Sequence, residues 1–290
     1  MPSGSLRRVA DPTDSAAVRA AVVATYGTAS ETADSTTLVA QYERVRDYCA
    51  AHPEQGSGAV ASALDLPRGR IRSWVDGDGR PDAVRGLDRL TARGWLHHAW
   101  ADASLRALAG LVAWVVAGGA IEQRTWVPSF SVSPGTRGDL RRLGAALGID
   151  WEQRHSGREQ QGTYWVPGAD ACPLGRLLAV LGAPVGRASR PDLPTWTVRD
   201  DCPRALRLDL ARIIVRQRGT VRDDLSTMPI QLRLSNPGRR QAVVELLDGL
   251  LADAPGEVRT DDGAHVRLDA RAAEVLGTPP ALGNPLPACE

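Results

Sequence analysis

The stretch that decides the fold runs from residue 108 to residue 121 and reads Leu-Ala-Gly-Leu-Val-Ala-Trp-Val-Val-Ala-Gly-Gly-Ala-Ile. It carries no charge, and its glycines and alanines leave little bulk on a helix surface. The apolar run from Ala107 to Ile121 is 15 residues long, shorter than the roughly 20 residues that a membrane-spanning helix needs. We therefore expect a buried helix that packs closely against another helix, and no membrane partner.

A second copy of this pattern follows 100 residues later, where Gly219 repeats the position of Gly119. Each copy contains an apolar helix, a strand with alternating apolar residues, a Pro-Gly pair, an amphipathic helix, two further strands and a closing helix. The predicted strands are 130–133, 151–154 and 163–166 in the first copy and 232–235, 257–260 and 265–268 in the second. The sequence therefore predicts a duplicated unit.

The motif helix and the repeat together resemble the LAGLIDADG homing endonucleases over about residues 101–277. The segment Leu193-Pro194-Thr195-Trp196 resembles the connection between the two halves in that family. This resemblance implies an α+β fold, in which a pseudo-two-fold duplicated αββαββα unit forms a saddle of two antiparallel sheets along duplex DNA. It also implies that two motif helices pack side by side, each ending in an acidic residue that holds a catalytic divalent cation.

Both acidic positions of that family are replaced in this chain. Alignment on the final glycine places Gly118 at the first position and Arg218 at the second. Cleavage with Mg²⁺ needs anionic oxygen ligands, which glycine lacks, and an arginine repels the cation. Glu122 follows the helix end, and Asp209 stands nine residues before Arg218, about 13 Å along a helix. We therefore expect no enzyme activity, no catalytic residue, no metal and no cofactor.

Residues 37–98 predict a helical domain ahead of the repeat. A helix with apolar residues at three- and four-residue steps ends before His52-Pro53, and a last helix spans 81–93. Between them, short helices at 58–64 and 67–75 resemble the helix-turn-helix of resolvase-like and homeodomain-like DNA-binding domains, in which the second helix enters the major groove.

The outward face of this second helix is basic, which suits contacts with DNA. A guanidinium bonds the two acceptors on a guanine edge, so arginine is suited to direct base readout. The predicted DNA-contacting residues of the helix are Arg68, Arg70, Arg72 and Ser73. A helical hairpin with a solvated charged face is the alternative interpretation.

Strand alternation supplies a second set of candidates in the second copy. If the apolar residues of its strands face the core, the opposite face carries polar side chains. The predicted DNA-contacting residues of this face are Gln231, Arg233, Arg259, His265 and Arg267. The same alternation turns Ser129, Ser131 and Ser133 outward in the first copy, near Arg154, so its surface is poorer in arginine. The alternative is that both sets are ordinary solvated strand residues.

Composition adds further constraints on class and compartment. The basic residues number 35 and the acidic residues 34, and all the basic ones are arginine. The absence of lysine and the preference for aspartate resemble haloarchaeal usage, although codon bias alone would also produce them. The cysteines are spread without a CxxC pair, so we read neither a zinc motif nor a disulfide framework. No apolar leader follows Met1, and we expect a cytoplasmic protein.

These observations divide the chain into a flexible arm (1–36), a helix-turn-helix domain (37–98), two repeats (101–186 and 187–277) and a C-terminal tail (278–290). The interpretation that we favour is a sequence-specific double-stranded DNA-binding protein that regulates transcription. One alternative is an active LAGLIDADG-type endonuclease or maturase. Another is a helix-turn-helix regulator whose repeat senses a ligand or a protein. The two copies of an internal duplication bury the surface between them without a second chain, so we expect a monomer. A homodimer is the alternative.

Overall fold

The computed structural model describes residues 8–9, 11–27, 34–96, 99–155, 163–186, 193–221, 230–234, 237–252, 254, 256–260 and 265–276. These residues form a mixed α+β protein, with a helical N-terminal region followed by two small antiparallel sheets. The predicted α+β class is confirmed. Among the described residues, no helix combines the length and apolar character that crossing a bilayer requires. The predicted tail at 278–290 lies outside the described residues.

The described N-terminal region consists of α1 (Ser15–Ala24), α2 (Ser35–Ala51), α3 (Ser57–Leu64), α4 (Arg68–Val75) and α5 (Asp82–Ala92). Helix α1 corrects the prediction of a flexible arm over 1–36. Its Val18, Val22 and Val23 are buried in the main core, and the Asp14 carboxylate caps it by accepting from the Ala17 N–H at 2.9 Å. Helix α1 has only 10 residues, so it depends on tertiary burial more than on local helix propensity.

Helices α2, α3 and α4 enclose a small core of their own. Val45, Val60 and Ile71, one from each helix, are fully buried there. Trp74 of α4 connects this cluster to the main core, with its ring 5.5 Å from the Tyr42 ring in an edge-on arrangement. The three helices therefore pack as one unit, which we call the three-helix unit.

A tight turn joins α3 to α4. Asp65 takes the left-handed backbone conformation at φ 52°, a conformation that aspartate tolerates better than most residues. The Leu66 N–H donates to the Ala61 carbonyl at 3.0 Å and closes the end of α3. A three-residue turn of this kind is typical of a helix-turn-helix.

The first half of the repeat contains α6 (Ala103–Gly118), β1 (Gly119–Ile121), β2 (Pro128–Ser131), α7 (Arg137–Leu147), β3 (Trp151–His155), β4 (Thr163–Pro167) and α8 (Ala171–Val180). Its described strands form a four-stranded antiparallel sheet in the order β1-β2-β4-β3. Phe130 at the centre of β2 is fully buried, and its ring lies 5.3 Å from the Trp151 ring.

The second half repeats this order of elements: α9 (Arg204–Arg218), β5 (Gly219–Val221), β6 (Ile230–Arg233), α10 (Pro237–Leu251), β7 (Val258–Thr260), β8 (His265–Leu268) and α11 (Ala270–Val275). Its described strands pair in the order β5-β6-β8-β7. A 3-10 helix at Thr195–Val198 precedes it, and the Trp196 indole N–H donates to the Leu181 carbonyl at 2.8 Å. This segment is the connection that the sequence predicts at 193–196.

Helices α6 and α9 pack directly on each other and form the seam between the halves. A Cβ at Gly110 would lie 2.8 Å from Leu143 and 3.1 Å from Ile213, so only glycine permits this approach without a shift of its neighbours. An ion pair joins the same helices, with Arg106 Nε 3.0 Å from Asp209 Oδ2. Helix α6, which contains residues 108–118 of the apolar stretch, is therefore buried by a second helix, as the sequence predicts.

The N-terminal region is fixed to the first half through α8. Arg93, just after α5, donates to the Asp170 carboxylate at 2.9 Å and to the Gly148 carbonyl at 2.8 Å. The Arg176 guanidinium of α8 lies 3.8 Å from the centre of the Tyr26 ring and 4.5 Å from that of Trp126. Helices α1 and α5 thus share one core with the repeat.

Candidate nucleic-acid interface

Helix α4 is the first part of the predicted interface. Its Arg68, Arg72 and Ser73 are exposed, whereas Ile71 on the opposite side is buried. Arg68 Nε donates to the Ser57 hydroxyl at 3.4 Å. The eight residues of α4 give it a length of about 12 Å at 1.5 Å per residue. The helix therefore presents a short basic face outside the three-helix unit.

Arg70 departs from the prediction that it points outward. It is half-buried, and its Nη1 donates to the Gln41 Oε1 of α2 at 3.0 Å. Ser73 is exposed but lies against a loop, because a Cβ at Gly79 would be 2.6 Å from the Ser73 hydroxyl oxygen. Arg70 thus braces α4 against α2, and Arg68 and Arg72 are the arginines that α4 exposes.

Asp76, at the end of α4, ties that end to the start of α3. Its carboxylate accepts from the Ser57 hydroxyl at 2.6 Å and from the Ser57 N–H at 3.1 Å. These hydrogen bonds, with a smaller contribution from the charges of Arg68 and Arg72, hold the pKa of Asp76 below its ordinary value of 3.8. Asp76 thereby sets how α3 and α4 meet.

The second part of the predicted interface is one face of the second sheet. Leu232, Val266 and Leu268 are fully buried on the opposite face, so the predicted alternation of β6 and β8 is confirmed. The face that carries the alternate residues is called here the second outer face. Its residues are Thr220, Gln231, Arg233, His265, Arg267 and Arg259.

Pairing across the strands places these side chains in rows. Gln231 pairs with Arg267, which pairs with Arg259, and Arg233 pairs with His265. Arg233 and Arg259 are exposed, and His265 and Arg267 are half-buried. Gln231 corrects the prediction of an accessible contact, because it is only 9% exposed in the middle of the sheet.

Arg259 is held by its own strand. Its Nε and Nη2 donate to the Glu257 carboxylate at 2.9 and 2.8 Å. Both side chains are more than half exposed, and an exposed pair of this kind contributes little to stability. The main effect of this ion pair is therefore to orient the Arg259 guanidinium on the second outer face.

The first sheet has an equivalent surface, the first outer face. Phe130 and Leu232 occupy equivalent positions, because they pair with Gly119 and Gly219 respectively. The strand pairing then matches each residue of the first outer face with one of the second. With the first-half residue given first, the equivalent pairs are Ser129/Gln231, Ser131/Arg233, Tyr164/His265, Val166/Arg267 and Glu152/Arg259. Each arginine of the second outer face is therefore a serine, a valine or a glutamate in the first.

The two positions that the resemblance assigns to catalytic acids lie at the ends of the seam helices. A Cβ added to Gly118 would lie 3.4 Å from the Gln217 side-chain oxygen, so the ends of α6 and α9 are adjacent. Arg218 follows Gln217 and is exposed. Glu122 is exposed beyond β1, where it accepts from the Thr125 hydroxyl, and Asp209 is paired with Arg106 at the other end of α9.

A buried ion pair crosses the seam near these ends. Arg216 Nε of α9 lies 3.0 Å from Asp139 Oδ2 of α7, and their side chains are 5% and 3% exposed. Arg216 Nη2 also donates to the Gly135 carbonyl at 3.1 Å, and Arg142 pairs with the same Asp139 carboxylate. Burial lowers the pKa of Arg216, and the charge of Asp139 opposes this effect.

Arg218 and Arg239 form a second basic group at the same end of the seam. Desolvation lowers the pKa of both guanidinium groups, and the charge of Arg218 further lowers the pKa of Arg239. Among the described residues, no carboxylate lies within ion-pairing distance of Arg218. The end of the seam thus carries positive charge where the resemblance implies a cation site.

Metal-ligating side chains do not gather elsewhere in the part of the chain that the structure describes, where no group of three His, Cys, Asp or Glu residues is placed to hold an ion. Comparison of the sequence with models of known protein families gives no match, and comparison with curated proteins gives none either.

Sequence reasoning missed Asp139, Arg239 and Asp76. The Pro-Gly pairs at 134–135 and 237–238 were a usable signal for the first two. Alignment of the two pairs sets Asp139 of α7 opposite Ala242 of α10, which reveals a charge present in only one copy. No pattern within the sequence indicates that Asp76 accepts from a serine 19 residues earlier.

Proposed function

We propose that this protein is a non-enzymatic, sequence-specific double-stranded DNA-binding protein that regulates transcription. The observation that carries the proposal is the exposed basic face of α4, which bears Arg68 and Arg72. A three-residue turn of the helix-turn-helix kind joins α4 to α3 within the three-helix unit. A major groove about 12 Å wide admits one helix, and arginine forms bidentate contacts with guanine. The rigid unit behind α4 keeps its basic face in position.

The second outer face supports the same function. Arg233, Arg259 and Arg267 lie on one side of a twisted antiparallel sheet, and strands of this kind contact DNA in several binding proteins. Arginine forks bind phosphates and base edges bidentately. The first outer face lacks these arginines, so we propose that the duplex is contacted asymmetrically, mainly through the second half.

The residue types at the seam favour a binding protein over a nuclease. Gly118 has no side chain to offer a cation, and Arg218 repels one. Asp209 is engaged by Arg106, and Glu122 is held by Thr125. Hydrolysis of a phosphodiester by metal ions requires anionic ligands around the scissile phosphate, and these four residues do not provide them.

The surface composition of the described residues also fits a polar partner. Val198 is the large hydrophobic residue that stands out as exposed among them. An apolar docking surface is normally a contiguous patch of several hundred Å², which a single valine does not form. A partner recognised through charge and hydrogen bonds, such as duplex DNA, suits this surface better.

The test is selection of bound sequences from a random duplex DNA library by the full chain, over a series of salt concentrations and without added metal. We expect one enriched motif. Arg72→Ala should relax or weaken it, whereas Arg85→Ala, an exposed arginine of α5 paired with Asp82, should leave it unchanged. Absence of an enriched motif at every salt concentration would overturn the proposal.

A further inference from the structure

A cavity of about 250 Å³ lies between α1, α2 and α5 in the helical N-terminal region. Every residue that lines it belongs to the described ranges 11–27 and 34–96. None of these residues belongs to the proposed DNA interface. Pockets for drug-sized ligands measure about 300–1,000 Å³, so the size of this cavity suits a smaller metabolite.

The charged side chains of the cavity are only partly compensated. Two ion pairs of 2.7 Å hold four of them: Arg19 with Glu43, and Arg80 with Asp88. Arg46 and Asp47 of α2 also line the cavity and are exposed, and neither has an ion-pair or hydrogen-bond partner among the described residues. Consecutive residues of a helix do not face each other. The cavity therefore offers a ligand one free positive group and one free negative group.

Tyr42 of α2 adds a polar group that the protein does not use. It lines the cavity and is 7% exposed, and its hydroxyl makes no hydrogen bond within the part of the chain that the structure describes. Its ring is fixed from the other side by Trp74 of α4, at 5.5 Å in an edge-on arrangement. A buried tyrosine hydroxyl normally has a partner, so this hydroxyl indicates a hydrogen-bond acceptor that enters the cavity.

The positions of these groups on α2 define two parts of a ligand. Tyr42 and Arg46 are four residues apart, so they are neighbours on one face of the helix and address the same acceptor. Asp47 lies on the adjacent row of α2 and addresses a donor. Val84 and Leu87 of α5, which are 8% and 2% exposed, supply apolar surface in the same cavity.

We propose that this cavity binds a free α-amino acid with an apolar side chain. The ligand carboxylate accepts from the Arg46 guanidinium and the Tyr42 hydroxyl, and the ligand ammonium donates to the Asp47 carboxylate. The apolar side chain lies against Val84 and Leu87. The site goes beyond the proposed function and does not depend on it, because no DNA takes part in binding.

The first test is isothermal titration of the full chain with L-leucine, at concentrations up to about 10 mM, where even millimolar binding is detected. We expect saturable binding at one site. Isocaproate has the leucine skeleton without the ammonium group, and isoamylamine has it without the carboxylate. Both should bind several-fold more weakly than leucine, because each leaves one charge of the cavity without a partner.

Variants of the two charged residues assign each end of the ligand. Asp47→Asn should weaken leucine binding several-fold and leave isocaproate binding unchanged, which removes the preference between these two ligands. Arg46→Gln should weaken leucine binding by a similar factor and remove the preference over isoamylamine. Arg44→Gln is the matched control, because Arg44 is an exposed arginine of the same helix that does not line the cavity.

A third variant tests the hydroxyl without disturbing the packing of the ring. Tyr42→Phe keeps the ring against Trp74 and removes the donor to the carboxylate. We expect leucine to bind several-fold more weakly, with the thermal unfolding of the unliganded protein little changed. Leucine should also raise the unfolding temperature of the unmodified chain more than that of Tyr42→Phe.

Three results would overturn the site. The first is no saturable binding of L-leucine, L-valine or L-phenylalanine. The second is binding of isocaproate as tight as that of leucine, which would indicate a simple carboxylate site. The third is leucine binding that both Asp47→Asn and Arg46→Gln leave unchanged, which would place leucine elsewhere on the chain. The DNA selection described above is a separate measurement, so either proposal can fail while the other stands.

Discussion

The two halves of the repeat share their strand order and pairing register, yet their outer faces differ in charge. Ser131, Val166 and Glu152 stand in the first half where Arg233, Arg267 and Arg259 stand in the second. The buried faces are alike, because both keep apolar residues against their helices. The contrast separates the apolar pattern that the fold requires, which both halves retain, from the arginines on which the proposed DNA contact rests, which the described strands carry only in the second half.

The start of the second helix in each half shows the opposite contrast. Asp139 is buried in the first half and compensates Arg216 from across the seam, whereas Ala242 stands at the equivalent position in the second. The first half therefore supplies a buried countercharge that the second half lacks at the equivalent position. Four predictions test this division.

The largest expected effect is on stability. Asp139→Ala leaves the 5% exposed Arg216 without its ion-pair partner. Breaking a buried pair on one side costs about 3–5 kcal/mol in the free energy of unfolding, which denaturant titration measures. Glu152→Ala is the control, because its pair with Arg154 is about half exposed and should contribute less than about 1 kcal/mol. Equal effects of the two variants would contradict a structural role for Asp139.

The next effect concerns DNA affinity and compares equivalent positions. Arg233→Ser gives the second outer face the residue of the first. The loss should be about 1–3 kcal/mol if Arg233 reads a base, or roughly 5- to 150-fold in Kd measured on the selected duplex. Ser131→Ala in the first half should change Kd less than about two-fold, since we expect no duplex contact there. An equal loss from both variants would show that the halves bind alike.

The reverse substitution should give a smaller gain. Ser131→Arg gives the first outer face one arginine of the second, at an exposed position. One additional phosphate contact would strengthen binding a few-fold at low salt and increase the salt slope by about 0.9. Isothermal titration at several salt concentrations measures both quantities. A gain that persists unchanged at high salt would contradict an electrostatic origin.

The smallest expected effect is a pH dependence of stability that arises in the three-helix unit and in neither half of the repeat. Hydrogen bonds from Ser57 depress the pKa of Asp76 below 3.8 in the folded protein. A carboxyl with a depressed folded pKa stabilises the fold above its unfolded pKa, and this contribution disappears as the pH falls through the folded value. Thermal unfolding should therefore separate the unmodified chain from Asp76→Asn at about pH 6, and the difference should shrink as the pH is lowered below 3.8. A separation that does not depend on pH would contradict this assignment.

Much of the fold is predictable from sequence because local patterns determine it. Alternating apolar residues set the faces of β6 and β8, and the small residues of 108–121 predict the close helix seam. Helix α1 was not predictable in this way. Its sequence, rich in alanine and valine, is helical because Val18 and Val22 are buried in the main core. Part of that core is α8, which lies more than 140 residues later in the chain.

The site is less predictable because its decisive contacts join distant parts of the chain. The sequence analysis places Arg70 on the outward face of α4, but its guanidinium donates to Gln41 of α2 and is held against the three-helix unit. Alternation also places Gln231 on the outer face, where its central position buries it. The pairing of Arg216 with Asp139 spans 77 residues, and no local pattern indicates it.

The measurement that tests the central claim most directly is a parallel selection from random duplex DNA with three chains: the unmodified protein, Arg72→Ala and Arg233→Ser. The account predicts one enriched motif for the unmodified chain, with each variant relaxing or weakening a different part of it, because α4 and the second outer face contact different positions. Three identical motifs, or no enrichment for the unmodified chain at any salt concentration, would contradict the claim.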